Sequence, residues 1–321
     1  MCYGYDGHAA LARSRAGNGG DRRSFLRGSA AVLAATGLAA TGLGGAAPAV
    51  ADSGHGRGWG RRVPADKISI QLYTMRDSLG GEPGFDQTLA HIADIGYPRV
   101  EVAGYYGRTA AELRTFFDGL GIEPGSSHEG ISDSEEALET KLDNALTLGQ
   151  WSMVVPYLVS AEEDDWKRWA EQMNVEAAAA RSVGLRYGYH NHAHEFTTDL
   201  GNGRTPWDVL TEELDPRLVH FEIDIYWAVT GGIESGDGAD DPERFTLDVI
   251  RAARQKTLQF HVKDRAEADG DTADLGTGII DFARIFRAHK VREYIVENDT
   301  PDDTPENTAE VGYRYLRELC Y

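Results

Sequence analysis

Short apolar runs alternate along the chain with longer segments in which apolar residues recur at helical spacing. Eight such runs have the length of buried β-strands, and their first residues lie 23 to 39 positions apart. That interval fits one strand, one helix and two loops. The runs cover residues 68–73, 99–103, 122–127, 153–158, 185–190, 219–225, 258–262 and 294–297.

The segments between most of these runs predict amphipathic helices, because their apolar residues follow the i, i+3, i+4, i+7 pattern. The clearest groups are Phe85, Leu89 and Ile92; Leu113, Phe116, Phe117 and Leu120; Leu138, Leu142 and Leu146; Trp166, Trp169 and Met173; Phe245, Val249 and Ile250; and Phe282, Ile285 and Phe286. Eight strand and helix units in about 255 residues predict an α/β chain folded as a (β/α)8 TIM barrel. The alternative is an open doubly wound sheet, which is disfavoured because such sheets have fewer strands.

The first 51 residues resemble a twin-arginine export signal. Arg22 and Arg23 precede a stretch rich in Ala, Gly and Leu over residues 30–47, and residues 49–51 read Ala-Val-Ala, a cleavage pattern. A membrane anchor is disfavoured because residues 30–47 contain four large aliphatic side chains, too few for a spanning helix. We therefore expect an exported protein, periplasmic or extracellular, without a stable membrane anchor.

Residues 52–66 predict a flexible leader, because they are rich in Gly and Arg and lack periodicity. The barrel is expected to occupy residues 67–321.

Composition narrows the classes of function. The chain carries a formal charge of −20, so a nonspecific grip on nucleic acid phosphates is not expected. Its 41% hydrophobic content is enough for a large core. The two cysteines stand at positions 2 and 320, so a cysteine zinc site or a disulfide framework is excluded. Any metal ion would have to be held by His and carboxylate side chains.

Polar residues stand at the ends of six of the eight predicted strands. In a TIM barrel the active site lies at the carboxyl ends of the strands, so these residues are the candidates for chemistry. They are Glu101, residues 126–129, residues 189–192, Glu222 with Asp224, residues 261–264, and residues 297–299.

Asp224 is the most informative of these residues, because an unpaired carboxylate inside an apolar strand is unfavourable to bury. Strand alternation places Glu222 on the same face as Asp224. The inward face near the rim would bring both toward the ends of the seventh and eighth strands. An internal salt bridge to Lys263 or Arg186 is the alternative explanation. His, Asp and Glu on neighbouring strands suit one divalent ion such as Mn²⁺, Co²⁺, Zn²⁺ or Mg²⁺.

Five segments together resemble the xylose isomerase-like TIM barrel superfamily, often called sugar phosphate isomerases/epimerases. They read GYHNHAHEF, HFEIDIYW, LQFHVKDR, LGTGIIDF and IVEND, and the resemblance covers about residues 67–320. In that family one divalent metal is held by a Glu, an Asp, a His and a Glu on strands five to eight. The resemblance therefore implies Asp224, His261 and Glu297 as metal ligands.

The strand-five ligand departs from the family pattern, because His190 stands where many relatives have Glu. The resemblance then implies His190 as the fourth ligand, with Glu195 as an alternative ligand or base. The family's epimerases are thought to use the strand-five and strand-eight glutamates as two opposed acid/base groups. His190 in place of one of these glutamates therefore disfavours a symmetrical two-base epimerisation in this chain.

The superfamily also contains endonucleases that use three metals. Those enzymes need a His three residues after the strand-six Asp, where this chain has Trp227. They also need an Asp-x-His pair after strand seven, and residues 264–276 contain no His. With the acidic charge, the nuclease function is not expected.

The remaining residues support proton transfer beside a sugar carbonyl. A divalent ion that chelates the carbonyl and the adjacent hydroxyl acidifies the intervening C–H and stabilises an enediolate. We expect catalytic roles for Glu297, His192 and His128. We expect substrate contacts from five side chains, namely Glu101, His128, His192, Lys263 and Trp227.

Three functions stay open from the sequence. The first is an isomerase or epimerase of a sugar or keto-sugar; the second is a lyase or dehydratase acting on an oxidised sugar or glycoside through the same site. The third is a noncatalytic sugar-binding barrel. The expected partner is a small-molecule sugar, unphosphorylated because no second basic cluster appears at the rim to take a phosphate. The sequence leaves the oligomeric state open, including a homo-oligomer.

Overall fold

Eight parallel strands form a closed barrel in the computed structural model, which describes residues 60–201 and 203–321. Each strand pairs with the next along the chain, and the first pairs with the last. The predicted (β/α)8 TIM barrel is confirmed. The strands are β1 (Ile68–Gln71), β2 (Arg99–Val102), β3 (Glu123–His128), β4 (Ser152–Val155), β5 (Arg186–His190), β6 (Val219–Asp224), β7 (Thr257–Val262) and β8 (Glu293–Val296).

Helices connect the strands, and all six predicted helical patterns are confirmed. For one of them, Ala110–Leu120, Thr109 and Glu112 form a capping box at the start, and Gly121 ends the helix with φ of 70°. The α-helices of the described residues are Arg76–Gly80, Phe85–Ile95, Ala110–Leu120, Glu135–Leu148, Glu163–Ser182, His194–Thr197, Pro206–Glu213, Ile225–Ser235, Pro242–Ala252, Phe282–Ala288 and Pro305–Glu318. None of them has the length and apolar content needed to cross a bilayer.

The interior of the barrel is polar. His128 of β3 contacts Glu222 of β6, and His261 of β7 contacts Glu101 of β2. Since these strands are not neighbours, the side chains meet across the interior. The alternate positions of the strands carry buried apolar residues that pack against the helices, among them Ile70, Val100, Phe221, Ile223 and Phe260.

The buried carboxylate of Asp264 binds backbone N–H groups of the loop that follows β7. A two-residue ribbon pairs Asp264–Arg265 with Thr272–Ala273. Oδ2 of Asp264 then accepts hydrogen bonds from the backbone N–H groups of Gly276 and Gly278, each at 3.0 Å. A Cβ atom at Gly278 would overlap Oδ1 of Asp264, so this position requires glycine. The LGTGIIDF segment therefore fixes the loop between β7 and β8.

The last residues of the segment interpreted as a leader pack on the domain. Arg61 and Tyr321 exchange two backbone hydrogen bonds, at 2.7 and 2.8 Å, and Val63 is buried in the core. The ordered domain therefore begins before Lys67. The predicted export signal and residues 52–59 lie outside the described residues.

Candidate metal and substrate site

Strands β5 to β8 bring the four predicted metal ligands together. His190 and Asp224 end their strands, His261 lies in β7, and Glu297 follows β8. One ligand atom from each lies within 4.8 Å of the others, and all four side chains are buried. We call these four residues the outer cluster. Their convergence is a structural finding, whereas metal binding stays a prediction.

The local structure around Asp224 differs from the predicted strand. β6 ends at Asp224, and the helix Ile225–Ser235 begins at the next residue. The carboxylate causes this, because its Oδ1 accepts a hydrogen bond from the Trp227 N–H at 2.9 Å and caps the helix. Trp227 therefore lies in the first turn of this helix.

The salt bridge considered as an alternative role for Asp224 is present. Nζ of Lys263 lies 3.2 Å from Oδ2 of Asp224, 2.8 Å from Oε2 of Glu297 and 2.7 Å from Oδ2 of Asp299. The Lys263 side chain is 1% exposed. Arg186, the other partner considered, is exposed at the opposite end of β5. Asp224 thus belongs both to the outer cluster and to an ion pair.

A second group of buried side chains lies one step deeper in the barrel. It consists of His128, His190, Glu222 and His261, and we call it the inner cluster. Oε1 of Glu222 lies 2.9 Å from Nε2 of His128, 3.2 Å from Nδ1 of His190 and 3.0 Å from Nε2 of His261. Glu222 precedes Asp224 by two residues in β6, which explains its depth.

The donor sets of both clusters fit a divalent ion. Imidazole nitrogens and carboxylate oxygens are the ligands that Zn²⁺, Mn²⁺ and Co²⁺ accept in proteins. Oε2 of Glu222 is buried without a hydrogen-bond partner among residues 60–201 and 203–321, whereas Oδ2 of Asp224 has the Lys263 ammonium at 3.2 Å. Such atoms are unfavourable unless a cation compensates them. In the outer cluster His190, Asp224, His261 and Glu297 would hold the ion.

The pKa values of the outer-cluster residues are shifted in different directions. Burial alone would raise the pKa of Glu297, but Lys263 and His261 outweigh it and hold the pKa well below its ordinary value. Burial opposes protonation of His261, yet Glu222 and Glu297 raise its pKa well above the usual range. Burial, with a charged His261 nearby, lowers the pKa of His190 to about 3. His190 is therefore a neutral imidazole with a lone pair for coordination.

Burial raises the pKa of the Asp224 carboxyl to about 6, although the nearby Lys263 ammonium acts to lower it. Lys263 approaches Glu297 more closely than Asp224, and Glu297 also contacts His261. The two carboxylates consequently shift in opposite directions.

Two predicted substrate residues lie side by side next to the outer cluster. The ring of His192 is 5.1 Å from that of His190, 5.2 Å from that of Trp227 and 5.0 Å from that of Tyr157. Nδ1 of His192 and Nε1 of Trp227 are buried and have no hydrogen-bond partner within the described part of the chain. Burial, reinforced by His190, lowers the pKa of His192 well below its usual value, so the ring is neutral.

Glu101 and His128, also predicted at the substrate, lie deeper. Glu101 accepts hydrogen bonds from Gln71 Nε2 at 2.8 Å and Ser126 Oγ at 2.7 Å, and it lies 2.7 Å from Nε2 of His261. Nε2 of His128 lies 3.2 Å from Glu101. Both side chains are engaged by protein groups, so their substrate contacts stay a prediction.

Glu195 is not brought to the outer cluster. Its carboxylate accepts hydrogen bonds from the Tyr189 hydroxyl at 2.6 Å and from the His192 backbone N–H at 2.8 Å. Since Tyr189 and His190 are adjacent in β5, their side chains point to opposite faces of the strand. Glu195 therefore fixes the loop after β5 instead of replacing His190.

Sequence reasoning did not assign roles to Glu222 or Asp299. The period of two placed Glu222 on the face of Asp224, and this signal was sufficient to include it among the ligands. Asp299 follows β8 by three residues, beyond the strand, so no periodicity indicated that it would bind Lys263.

Comparison with known proteins agrees with this architecture. Two curated inosose dehydratases are similar to the chain. The protein from Geobacillus kaustophilus (strain HTA426) is 24% identical over 283 residues, covering 76% of this chain and 90% of the relative. The protein from Glaesserella parasuis serovar 5 (strain SH0165) is 24% identical over 289 residues, covering 75% and 92%.

A solved sugar phosphate isomerase/epimerase from Parabacteroides distasonis ATCC 8503 superposes with a TM-score of 0.64 at 24% identity, covering 79% of this chain and 94% of that one. The family model described as xylose isomerase-like TIM barrel matches residues 78–319. That match spans most of the barrel, including the outer and inner clusters. The chain belongs to the xylose isomerase-like TIM barrel family.

Proposed function

We propose that the protein is a divalent-metal-dependent isomerase or epimerase of an unphosphorylated sugar or keto-sugar. The observation that carries this proposal is the outer cluster, which lies beside a neutral histidine, His192, with an unpartnered nitrogen. The proposed metal site and the proposed proton acceptor are thus adjacent at the rim of the barrel. This is the arrangement needed for proton transfer beside a carbonyl.

A divalent ion in the outer cluster would polarise the sugar carbonyl and its neighbouring hydroxyl and acidify the C–H between them. The protein residues perform the other parts of the reaction. His192 accepts or returns the proton at Nδ1, and the Trp227 ring with its Nε1–H binds and orients the sugar. The Lys263 ammonium holds the carboxylates of Asp224 and Glu297 in place and adds positive charge beside the site.

Glu297 serves better as a ligand than as a base. Its Oε2 is already engaged by His261 and Lys263, both at 2.8 Å, whereas Nδ1 of His192 has no hydrogen-bond partner among the described residues. The sequence expectation of a basic role for Glu297 is therefore the less favoured of its two proposed roles.

The charge around the site favours an unphosphorylated substrate. Lys263 is buried and already contacts three carboxylates. Arg76 is the neighbouring guanidinium, and it donates to the carbonyl oxygens of Tyr73 at 2.9 Å and Asp299 at 2.6 Å. Both side chains are thus engaged by protein oxygens, and neither presents a free pair of adjacent N–H donors to a phosphate.

A dehydratase or lyase is the second candidate. The curated inosose dehydratases among the relatives favour it, as does the strand-five position, where His190 replaces the carboxylate expected of a second base. Elimination needs one base for the proton beside the carbonyl and an acid for the leaving group. His192 and a neighbouring charged imidazole or ammonium would supply these two groups.

Solvent exchange separates these reactions. The Mn²⁺-loaded protein is incubated in deuterated water with unphosphorylated ketoses, inososes and 3-keto-glycosides, and the products are followed by NMR. Deuterium incorporation with rearrangement supports the isomerase or epimerase; loss of water or of an aglycone supports the lyase. Saturable binding without exchange would mean a sugar-binding barrel and would overturn both enzymatic candidates.

The matched variants are Asp224→Asn and Asp215→Asn. The first removes a charge from the outer cluster and should abolish exchange. The second changes a carboxylate whose partner is Arg217 on the surface and should leave exchange intact. Equal exchange by both variants would contradict the proposed metal site.

Export through a twin-arginine route also stays a proposal, supported by Arg22 and Arg23 and the stretch that follows them. Fusing residues 1–51 to a folded reporter tests it in a bacterial host with a twin-arginine pathway. Replacement of both arginines by lysine should retain the reporter in the cytoplasm. Export that is insensitive to this replacement would contradict the proposal.

A further inference from the structure

Two imidazole rings stand between the outer and inner clusters, and each presents one nitrogen to each cluster. His261 has Nδ1 2.8 Å from Glu297 and Nε2 3.0 Å from Glu222. His190 has Nε2 3.7 Å from Asp224 and Nδ1 3.2 Å from Glu222. The same two rings can therefore serve a cation on either side.

The inner cluster completes a four-ligand set on its own side. His128 directs Nε2 toward Glu222 at 2.9 Å, and its side chain is 6% exposed. Glu222 is fully buried, and its Oε2 has no hydrogen-bond partner in the described ranges. Three imidazole nitrogens thus surround Oε1 of Glu222, while Oε2 of the same carboxylate has no partner among the described residues. Oε2 of Glu101 also lies 2.7 Å from Nε2 of His261.

We propose that the inner cluster is a second divalent cation position, formed by His128, His190, Glu222 and His261. It lies on the side of the two shared imidazoles opposite to the outer cluster. This position does not depend on the proposed reaction, because it uses different nitrogen atoms of His190 and His261 and a different carboxylate.

Hydrogen bonding supports coordination at the inner position. When Nε2 of His261 binds a cation, its Nδ1–H donates to Glu297, which lies at 2.8 Å. This is the carboxylate and histidine arrangement that orients metal-binding imidazoles and increases their basicity. Asp224 lies beyond His190 at 3.7 Å, which is outside hydrogen-bond distance. Glu297 is therefore the outer-cluster carboxylate that would support the inner ion.

Occupancy of the two positions is mutually exclusive for one neutral imidazole, since it offers a single lone pair. A cation at the inner position requires the opposite tautomers of His190 and His261 from a cation at the outer position. The protein therefore binds one ion in either place, and the tautomers of the two shared rings follow the ion.

Donor chemistry predicts which ion takes which position. The inner position offers three nitrogens and one oxygen, a set suited to Zn²⁺. The outer position offers two nitrogens and two carboxylates, a set better suited to a harder ion such as Mn²⁺. The two positions also differ in charge, because the Lys263 ammonium already contacts the carboxylates of Asp224 and Glu297 at the outer position. No comparable ammonium contacts Glu222 among the described ion pairs.

The test uses the purified full chain, stripped of metal with a chelator and then loaded with Zn²⁺ alone or Mn²⁺ alone. Zinc X-ray absorption counts the coordinating imidazoles, and competition with a fluorescent chelator measures affinity. We expect three imidazoles on zinc. His128→Asn should weaken Zn²⁺ binding ~10-fold or more and leave Mn²⁺ affinity unchanged.

His220→Asn is the matched control. His220 is also a buried histidine of the barrel interior, but it contacts Gln259 and Ser152 and belongs to neither cluster. This variant should bind both ions as the wild type does. If His128→Asn fails to fold, Glu222→Gln removes the inner charge with little change of shape and should weaken Zn²⁺ selectively.

The outcomes distinguish this inference from the proposed function. Two imidazoles on zinc, together with unchanged zinc affinity in His128→Asn and Glu222→Gln, would overturn the inner position while leaving the outer one intact. Unchanged Mn²⁺ affinity in Asp224→Asn would instead remove the metal site of the proposed function. Selective loss of Zn²⁺ in the inner variants and of Mn²⁺ in the outer variant supports both positions.

Discussion

Nζ of Lys263 lies 2.8 Å from Oε2 of Glu297, and both side chains are withdrawn from solvent. Burial would lower the pKa of Lys263, but Asp224, Asp299 and Glu297 raise it well above its usual value. Lys263 is thus a permanent positive charge inside the barrel, and the carboxylates around it depend on that charge.

Replacing Lys263 by Met should destabilise the metal-free protein by about 3–5 kcal/mol, because the buried carboxylates of Asp224 and Glu297 and the partly buried one of Asp299 lose their shared cation. Adding Mn²⁺ should restore part of that loss, since a bound ion supplies positive charge and stabilises the folded state. Urea unfolding with and without the ion measures both effects. Lys67→Met is the control, because Lys67 donates to one carbonyl, that of Val291, at 3.2 Å and is partly exposed. Equal stability of the two variants would refute the assigned role of Lys263.

Glu293 should make stability depend on pH. Burial and the neighbouring Glu101 raise the pKa of Glu293 from 4.5 to about 7 in the folded protein. Between these values the folded chain holds a proton that the unfolded chain releases, so stability falls as pH rises through this window. Glu293→Gln should therefore exceed the wild type in stability at pH 8 by about 3 kcal/mol and match it more closely near pH 4.

The measurement is the difference in unfolding free energy between Glu293→Gln and the wild type at several pH values. Using the difference cancels the titration of other groups. Gln preserves an acceptor for the Trp151 indole N–H, which donates to Glu293 at 3.2 Å. A difference that does not change with pH would show that the raised pKa is incorrect.

Gly278 and Gly119 form a matched pair for the loop after β7. A Cβ at Gly278 would overlap Oδ1 of Asp264 and the carbonyl oxygen of Arg265, so Gly278→Ala should destabilise the protein by about 1–3 kcal/mol. A Cβ at Gly119 meets no atom within 4 Å, and this residue lies in the helix Ala110–Leu120. Gly119→Ala should stabilise the protein by about 0.5–1 kcal/mol. Thermal unfolding of both variants checks the opposite signs, and a shared sign would count against the packing of Asp264.

His192→Asn should lower kcat by about 100-fold, because the neutral ring is the proposed proton acceptor. Metal content should stay at the wild-type level, since His192 belongs to neither cluster. His289→Asn is the control, because His289 contacts the backbone carbonyl of Thr257 away from the site. Elemental analysis and turnover are measured on the same preparations. Wild-type turnover by His192→Asn would assign the proton transfer to another residue.

The sequence was sufficient for the barrel and for the convergence of the outer cluster. Apolar runs at a regular interval predict strands, and parallel strands in a closed ring place their carboxyl ends at one rim. The inward face of β6 could then bring Asp224 toward His261 and Glu297. The family resemblance, not periodicity, added His190 and identified the four residues as a ligand set.

Contacts across the barrel could not be predicted in the same way. Glu222 meets His128 because β6 and β3 face each other, a relationship that depends on the stagger of the closed ring. The start of the helix after β6 depends on which atom takes the Trp227 N–H, and Asp224 supplies that acceptor itself. An apolar run followed by Tyr and Trp gave no sign of this turn.

Asp224 divides its two oxygens between a helix and the outer cluster. Oδ1 accepts from the Trp227 amide at 2.9 Å, while Oδ2 faces the Lys263 ammonium at 3.2 Å. Any redistribution of electron density in this carboxylate alters the polarisation of the Trp227 N–H bond. The nitrogen-15 chemical shift of the Trp227 amide should therefore report whether a ligand is bound to the Asp224 carboxylate. This measurement needs no labelled substrate.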